Sequence, residues 1–582
     1  MKTRYIQIKK RFKTDPFTFD EIKELLSKKY KDKDEKILVL LSELKKKGFI
    51  SVELDEQDSR KRKYSLIDKS AELIQKEVLD RSDLESLLKE AADLIRTKVD
   101  YSFILLLLFY KKLSDKWHND YEKAFKESVE IYHLTKEEAK KNAEDRTYHD
   151  FIIPEEFLWD NIRKNPDKLA EYFSKAMKAL SEKNPAYRDV FENFDFAQFV
   201  GNRENQEILN QLVELFSINS LEKASPDVLG DSYEWLIRKF APQKAKEGEV
   251  YTPREVIKLL VRILEPKPNE SIYDPALGSA GMLIESHNYV EDKYSDDEAK
   301  KLFLFGQEAN YKTRSIAKMN LYLHGIKNGI PEYGDSLLYP KFKEDGRIQK
   351  FDIVIGNPPW NLDGYGEDTI KKGELWKERF NEYGFSPDQS ADWLWISHMW
   401  ASAKDENGRV GVIIDNGALF RGGKEKSIRE KFLNDDNIEC VILLPEKLFY
   451  NTPANGAVMI LNKKKRPELK NKIVFINASE EFTKHPEVRR LNSLSDENIE
   501  KIVSAFKGSK SEKGFYRIVD LKEIKENDSN LNVSLYVYAE AETVDIDVRK
   551  EWEELKSIDK EIGLIEIKIE KYLNDLKYLE NK

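Results

Sequence analysis

The chain has 582 residues, 40% hydrophobic and 35% charged, which is too long for one hydrophobic core and predicts three or four domains. Its single cysteine, Cys440, excludes a disulfide framework and a cysteine metal site, and its seven histidines show no metal-ligand spacing, so no metal is expected. The net charge of −9 makes the chain a poor DNA binder by itself, so a DNA substrate would require a local basic surface or a more basic partner.

The chain carries no sign of membrane insertion or secretion. Its longest apolar run, Phe103–Phe109, is far too short to span a bilayer. Its first eleven residues lack the apolar core of a signal peptide, which predicts a cytoplasmic protein.

Residues 1–68 predict a winged-helix-like domain. Two helices with apolar faces precede two alternating strands, and the basic run Arg60–Lys63 falls between the strands as a wing would. A DNA-contacting wing and a protein-interaction domain both fit, because the second helix is as acidic as it is basic.

Residues 70–240 predict an all-helical domain. Leucines, alanines and an isoleucine between Leu84 and Ile95 recur at three and four residues, and Phe103–Tyr110 predicts a fully buried helix. Core packing accounts for this region without any chemistry.

From residue 271 the pattern alternates strand and helix, which predicts a parallel sheet. Before it, Thr252 and Pro253 predict a helix start, with Thr252 as N-cap and Pro253 in the first helical position. The strand Ser271–Tyr273 runs into the glycine-rich loop Asp274–Gly281 and then a helix. Such a loop at a helix N-terminus favours a carboxylate ligand, and Asp274 could accept from a ligand ammonium or hydroxyl group.

Two further strand ends carry acids. Glu308 ends the next strand, where a carboxylate can bind both hydroxyls of a ribose, and Asp335 could accept from an adenine amino group. Either acid alone would more often be a helix cap. Together with the glycine-rich loop, they predict a cofactor with a nucleoside part lying across the strand ends.

The turn Asn357–Trp360 follows the predicted strand Phe351–Ile355. The two prolines stiffen the backbone, so the Asn357 amide oxygen and the Pro358 carbonyl are two acceptors held close together. They could take both hydrogens of an exocyclic amino group, and Trp360 offers a face for base stacking. The alternative is a proline-stiffened loop with a core tryptophan. Beyond residue 546, apolar residues at three- and four-residue spacing predict a long helix with a partner helix.

With these motifs in order, the chain resembles the modification (M) subunit of type I restriction–modification systems, an N6-adenine DNA methyltransferase. The matching segments are Leu105–Lys116, Gly248–Arg254, Asp274–Gly281, Gly306–Glu308, Asn357–Trp360, Leu419–Gly423 and Leu444–Thr452.

The resemblance runs from about residue 80 to the C-terminus and implies a Rossmann-like α/β methyltransferase core at 241–480 after an all-helical N-terminal domain at 70–240; the winged-helix-like head at 1–68 lies outside it. A C-terminal region at 481–582 would end in the long helix. The implied cofactor is S-adenosyl-L-methionine. Its binding residues would be Glu249, Val250, Tyr251, Thr252, Pro253, Arg254, Asp274, Gly278, Ser279, Ala280, Gly281, Glu308 and Asp335. The catalytic residues would be Asn357, Pro358, Pro359 and Trp360, and the target base would stack on Trp360 with Phe449 or Tyr450.

The implied partners are double-stranded DNA, a specificity subunit, a second modification subunit and a restriction subunit. The chain departs from the family pattern at Leu277, where a small residue or cysteine is usual, at Ala280, often glycine, and at Trp360, usually phenylalanine or tyrosine. The head is not a standard part of the subunit.

The same residues leave other functions open. A protein glutamine methyltransferase would use the same turn, because its target is also an amide NH2 group. A winged-helix regulator with an inactive methylase body is a rival from another class. C5-cytosine methylation is disfavoured because Cys440 follows Glu439 within an apolar strand instead of a proline. The chain has no Walker motif, so it is not the ATP-driven subunit.

Overall fold

The structure is a computed structural model that describes most of the chain. The described residues are 8, 11–12, 16–30, 34–46, 50–54, 62–66, 79–95, 99–245, 251–450, 452, 454–486, 488–508, 511–538 and 548–576. They form two compact units, one of residues 1–237 with 322–325, the other of residues 238–321 with 326–582.

The first unit begins with two helices and a three-stranded sheet. These elements are β1 (Phe17–Thr18), α1 (Phe19–Tyr30), α2 (Asp34–Lys46), β2 (Ile50–Leu54) and β3 (Arg62–Leu66). The sheet is antiparallel in the order β1-β3-β2. Apolar residues of both helices and all three strands form one core. Of the predicted basic run, Arg62 and Lys63 lie on β3, and residues 60 and 61 lie outside the described residues.

The rest of the first unit is helical. Its helices are α3 (Arg81–Ile95), α4 (Ser102–Glu130), α5 (Lys136–Ala143), α6 (Trp159–Arg163), α7 (Leu169–Lys183), α8 (Arg188–Glu192), α9 (Arg203–Phe216) and the start of α10 (Pro226–Ala245). The predicted buried helix is confirmed, because every side chain from Phe103 to Tyr110 at the start of α4 is at most 5% exposed. Apolar residues on all sides of these turns require neighbours on all sides.

The chain beyond residue 253 alternates helices and strands up to α21. Its elements are α11 (Arg254–Leu264), β4 (Ser271–Asp274), α12 (Gly281–Lys293), α13 (Asp296–Ala299), β5 (Phe303–Glu308), α14 (Tyr311–Leu323), β6 (Ile330–Tyr333), β7 (Lys343–Glu344), β8 (Arg347–Ile348), β9 (Ile353–Gly356), α15 (Glu367–Ile370), α16 (Trp376–Phe380), α17 (Asp392–Ala401), β10 (Arg409–Asp415), α18 (Gly423–Asn434), β11 (Ile438–Leu443), β12 (Gly456–Asn462), β13 (Lys472–Asn477), β14 (Thr483–Lys484), β15 (Asn492–Ser493), α19 (Asp496–Lys507), β16 (Tyr516–Asp520), α20 (Leu521–Glu526) and α21 (Val548–Asp575).

Nine strands of the second unit form one sheet in the order β16-β13-β11-β12-β10-β9-β4-β5-β6. The chain steps outward from β4 through β5 to β6 and then returns to β9 on the other side of β4. Five adjacent strands of the sheet, in the order β10-β9-β4-β5-β6, run parallel to one another. Open α/β sheets bind ligands outside the carboxyl ends of the strands where the order reverses in this way. The crevice beyond β4, β5 and β9 is therefore the expected ligand site.

The sheet is mixed, whereas the sequence pattern predicted a parallel one. β12 lies antiparallel between β10 and β11, and β16 lies antiparallel beside β13. A parallel neighbour requires a crossover, usually a helix, and the described residues between β11 and β12 form none. β16 also carries the sheet past residue 480, so the domain boundary predicted there falls between two paired strands.

The sheet is apolar on both faces. Ile353 and Ile355 of β9 pack into one core, and Val354 packs into the other. This explains why the strand is a continuous apolar run instead of an alternating one. No helix in the described part of the chain is long and apolar enough to cross a membrane.

Candidate active site

The loop after β4 forms one side of the crevice. Gly278 and Ala280 adopt left-handed backbone conformations, with φ of 54° and 71°, and Ser279 lies between them. These turns lead directly from β4 into α12, which begins at Gly281. Leu277, a departure from the family pattern, has a buried side chain that lies against Gly306 of β5, and its N–H donates to the Gln307 carbonyl at 3.0 Å.

Asp274 is the buried acid of the site. It ends β4 and is 1% exposed, and its Oδ1 accepts from the Ala276 N–H at 3.0 Å. Its pKa is raised to about 8, mainly by burial and to a smaller extent by the charge of Glu308, and the hydrogen bond from the Ala276 N–H opposes this rise. Gly356 of β9 approaches it closely, since a Cβ there would lie 3.1 Å from Oδ1.

Glu308 and Asp335 anchor the loops around the crevice. Glu308 accepts from the Gly278 N–H at 2.9 Å and from the Asn310 N–H at 2.7 Å. Asp335 Oδ1 accepts from two backbone N–H groups, and its Oδ2 accepts from the Tyr365 hydroxyl at 2.6 Å. Both acids therefore accept from backbone N–H groups, as expected if they were caps. They also lie at the strand ends where a cofactor would bind, so the two interpretations are compatible. Tyr365 was not identified from the sequence.

The predicted catalytic turn leaves β9 directly. Asn357 is 8% exposed; its Nδ2 donates to the Thr252 hydroxyl at 2.9 Å, and its Oδ1 accepts from Trp360 Nε1 at 3.0 Å. Pro358 is buried, and Pro359 and Trp360 are partly buried. The amide is therefore held at both ends while the turn lies at the carboxyl edge of the sheet.

The Trp360 ring is held by aromatic packing. It meets Phe449 edge to face, with ring centroids 4.8 Å apart. A Cβ on Gly456 would lie 2.9 Å from Trp360 Cη2, so only glycine leaves room for the indole. Phe449 is 1% exposed, and a base between the two rings would have to open this contact. Tyr450 is partly buried, and its ring lies 6.0 Å from that of Tyr251.

The segment before α11 differs from its predicted helix start. The helix begins at Arg254 with Pro253 at the cap position, so the prediction of Thr252 as N-cap is wrong by one residue. The Thr252 hydroxyl is instead bonded to Asn357. Arg254 lies 3.7 Å from Glu285. Two other predicted cofactor residues, at positions 249 and 250, lie outside the described residues.

Arg421 fixes the residue that follows the turn. It donates to Asn361 Oδ1 and to Asp415 Oδ2, both at 2.8 Å, and to Glu425 at 2.7 Å. It also pairs with buried Asp392, whose other oxygen accepts from the Asn361 N–H at 2.9 Å. The sequence indicated Arg421 only as part of a family motif, without this role.

A group of possible metal ligands lies in the first unit. Asp231, Glu234 and His324 each place one ligand atom within 4.8 Å of the others, although histidine spacing predicted no metal site. Asp231 also forms an ion pair with Arg81 at 3.2 Å, which supplies a counter-charge without a metal.

Comparison with known proteins identifies the family. The profile of the family described as N-6 DNA Methylase matches residues 224–545, and that of the HsdM N-terminal domain matches residues 84–216. The type I restriction enzyme MjaVII methylase subunit of Methanocaldococcus jannaschii is 44% identical over 558 residues, covering 95% of this chain and 93% of that protein. The MpnII methylase subunit of Mycoplasma pneumoniae is 28% identical and covers 81% of this chain and 92% of that protein.

A solved structure agrees with these sequence matches. The type I restriction-modification system methyltransferase subunit from Streptococcus thermophilus has a TM-score of 0.67 and 28% identity, and covers 79% of this chain and all of that one. The chain therefore belongs to the N-6 DNA methylase family and, within it, to the type I restriction enzyme methylase subunits.

Proposed function

We propose that this chain methylates N6 of an adenine in double-stranded DNA, with S-adenosyl-L-methionine as cofactor and the Asn357–Trp360 turn as the catalytic group. The cofactor's methionine carboxylate would lie at the backbone of Gly278–Gly281, and Asp274 would accept from its ammonium group. The ribose hydroxyls would bind Glu308, and the adenine amino group would bind Asp335. These groups end neighbouring strands at the reversal point of the sheet, which supports an extended cofactor across β4, β5 and β6.

The observation that carries the proposal is the held amide of Asn357. Nδ2 is bonded to Thr252, and Oδ1 accepts from Trp360 Nε1 with one lone pair, so its second lone pair can accept from a substrate amino group. Oδ1 and the Pro358 carbonyl accept the two amino hydrogens, which turns the nitrogen lone pair out of the purine π system. Bound S-adenosyl-L-methionine supplies an electrophilic methyl group. Positioning of the nitrogen and stabilisation of its developing positive charge are then the work of this turn.

The target adenine would have to leave the duplex to reach this turn. Trp360 would stack on it, a contact worth roughly 1–3 kcal/mol per base. Phe449 packs against the Trp360 ring in an edge-to-face contact, and the partly buried Tyr450 is the second candidate for contact with the base.

The surfaces of the chain support partner subunits. Helix α21 exposes an apolar stripe in which the seven side chains Trp552, Leu555, Ile558, Ile562, Ile565, Ile569 and Tyr572 are 48–66% exposed. A helix of a specificity subunit would cover it and would bring the DNA-reading surface that this acidic chain lacks. A second modification subunit and a restriction subunit would complete the assembly.

The head supports the winged-helix interpretation through its two helices and antiparallel ribbon. Its second helix exposes Leu38 and Val39, at 52% and 59%. Apolar side chains at these places favour a protein partner over DNA for that helix, because phosphate contacts need basic or polar groups.

The test is transfer of labelled methyl to unmodified DNA, by the chain alone and with the product of any neighbouring specificity gene, followed by nucleoside analysis. We expect N6-methyladenine with the partner present. Asn357→Ala should abolish transfer while S-adenosyl-L-methionine still binds; equal loss of both would refute the assigned roles. Methylation of glutamine in protein, with none in DNA, would favour the rival enzyme. Failure to bind S-adenosyl-L-methionine would favour an inactive methylase body.

A further inference from the structure

The orientation of the Asn357 amide is set by two side chains of unequal chemistry. Its nitrogen faces Thr252 Oγ1 at 2.9 Å and its oxygen faces Trp360 Nε1 at 3.0 Å. An asparagine amide can rotate by half a turn and exchange these two ends. Only one of the two amide orientations places the Asn357 oxygen where it can accept from a substrate amino group.

The two partners differ in what they permit. A threonine hydroxyl both donates and accepts, so Thr252 can bond to either end of the amide. An indole N–H only donates, so Trp360 can bond only to the oxygen. The direction of the amide is therefore determined by Trp360 and not by Thr252.

We propose that Trp360 is a positioning residue that fixes the Asn357 amide with its oxygen toward the methyl-accepting amino group, in addition to offering its ring for stacking. The inference rests on the proposed function. Of the two residues usual in the family at this position, phenylalanine has no donor and tyrosine has a hydroxyl that can also accept, whereas the indole N–H can only donate.

The indole is itself held in the place this role requires. Phe449 packs against it edge to face at 4.8 Å, and Gly456 leaves no side chain where the ring lies. Oδ1 has two lone pairs, so it can keep the indole bond and still accept one hydrogen from the substrate. A reversed amide would instead point its Nδ2 hydrogens at the substrate amino hydrogens. Donor would face donor, and the nitrogen lone pair would not be turned toward the methyl group.

The test deletes the donor and keeps the ring. In the complex with the specificity subunit, Trp360 is replaced by 3-(benzothiophen-3-yl)alanine, which has the shape of tryptophan but sulfur in place of the N–H. We expect the single-turnover rate of methyl transfer to fall roughly 2- to 10-fold, the effect of one hydrogen bond. Cofactor affinity and the fluorescence of 2-aminopurine placed at the target base, which reports base flipping, should stay within twofold of the wild-type values.

A second comparison isolates orientation from other effects of the sulfur. Asn357→Asp has two equivalent oxygens and no wrong orientation, so the same replacement of Trp360 in that background should lower the residual single-turnover rate by a smaller factor than it does with Asn357 present. A wild-type rate with the sulfur analogue, or an equal loss in both backgrounds, would overturn the positioning role. Loss of the flipping signal in step with the rate would assign Trp360 to stacking alone. Absence of adenine methylation by the unaltered complex would instead refute the proposed function.

Discussion

Asp274 makes the cofactor-free protein less stable than it could be at neutral pH. Its pKa is raised from the ordinary 3.8 to about 8 by burial and by Glu308. A raised pKa in the folded state contributes stability that is fully present below pH 3.8 and is lost as the pH rises toward 8. Each unit costs about 1.4 kcal/mol, so the loss at pH 7 is about 4 kcal/mol, an upper limit if the site relaxes. Asp274→Asn has no such cost and can still accept from the Ala276 N–H.

Thermal unfolding of the cofactor-free chain between pH 5 and pH 8 measures the effect. The melting temperature of Asp274→Asn should exceed that of the wild type by a margin that grows with pH, to on the order of 10 °C at most near pH 8. The same variant should bind S-adenosyl-L-methionine roughly 10- to 100-fold more weakly, because asparagine cannot form the carboxylate that Asp274 would become beside the cofactor's ammonium group. Parallel pH curves for the two proteins would refute the reasoning.

Asp352, which immediately precedes the neighbouring strand β9, provides the matched control. Burial alone would raise its pKa, but hydrogen bonds from Lys404 and Ser271 bring the pKa below the ordinary value. A lowered pKa contributes stability above the ordinary pKa that is lost on acidification. Asp352→Asn should therefore lower the melting temperature at pH 7, opposite in sign to Asp274→Asn. A rise in both variants would show that any loss of buried charge stabilises the chain.

Three further predictions concern the turn and the tail. Gly456→Ala places a methyl group against Trp360, so it should lower the free energy of unfolding by about 1–3 kcal/mol and slow methyl transfer. Thermal melting and the single-turnover rate measure the two effects, and an unchanged rate would mean that the indole position is not critical. Arg421→Gln leaves buried carboxylates without their cation, so chemical denaturation should show a free energy of unfolding about 3–5 kcal/mol lower than that of the wild type. Arg421→Lys should have an intermediate stability, and equal stability of the wild type and both variants would contradict the network. Deletion of residues 548–582 should abolish co-purification with the specificity subunit but leave cofactor affinity unchanged; retained association would place the contact elsewhere.

The sequence was sufficient to predict the strands that carry the site. β9 is apolar at every position because its two faces pack into separate cores, and such a run between loops is recognisable without a partner strand. The order of the strands in the sheet could not be predicted from the sequence, because the neighbours of β12 are determined by long-range pairing. β12 and β16 both pair antiparallel with their neighbours. These directions depend on the geometry of the connecting segments, which the local sequence pattern does not predict.

Some contacts of the site follow from strand topology, and others depend on loops that are distant in the sequence. Asp274 and Glu308 end strands, and parallel strands end at one edge, so their proximity follows from topology. The bond between Thr252 and Asn357 spans 105 positions, and that from Arg421 to Asn361 spans 60. Contacts of this kind depend on how loops pack above the sheet, so the role of Thr252 was taken from the family and its hydroxyl bond was not expected.

Glu308 has two simultaneous tasks, and this limits how the position can evolve. Its carboxylate already closes the glycine-rich loop through Gly278 and its own strand end through Asn310 before any ribose arrives. Glutamine would replace one acceptor with a donor facing a backbone N–H, and aspartate would be one methylene too short for both bonds. Selection for scaffold geometry and selection for ligand contact therefore act on the same atoms. Variation at this position should be rarer than at a residue that serves either task alone, and a lineage that lost methyl transfer would still be constrained to keep a glutamate there.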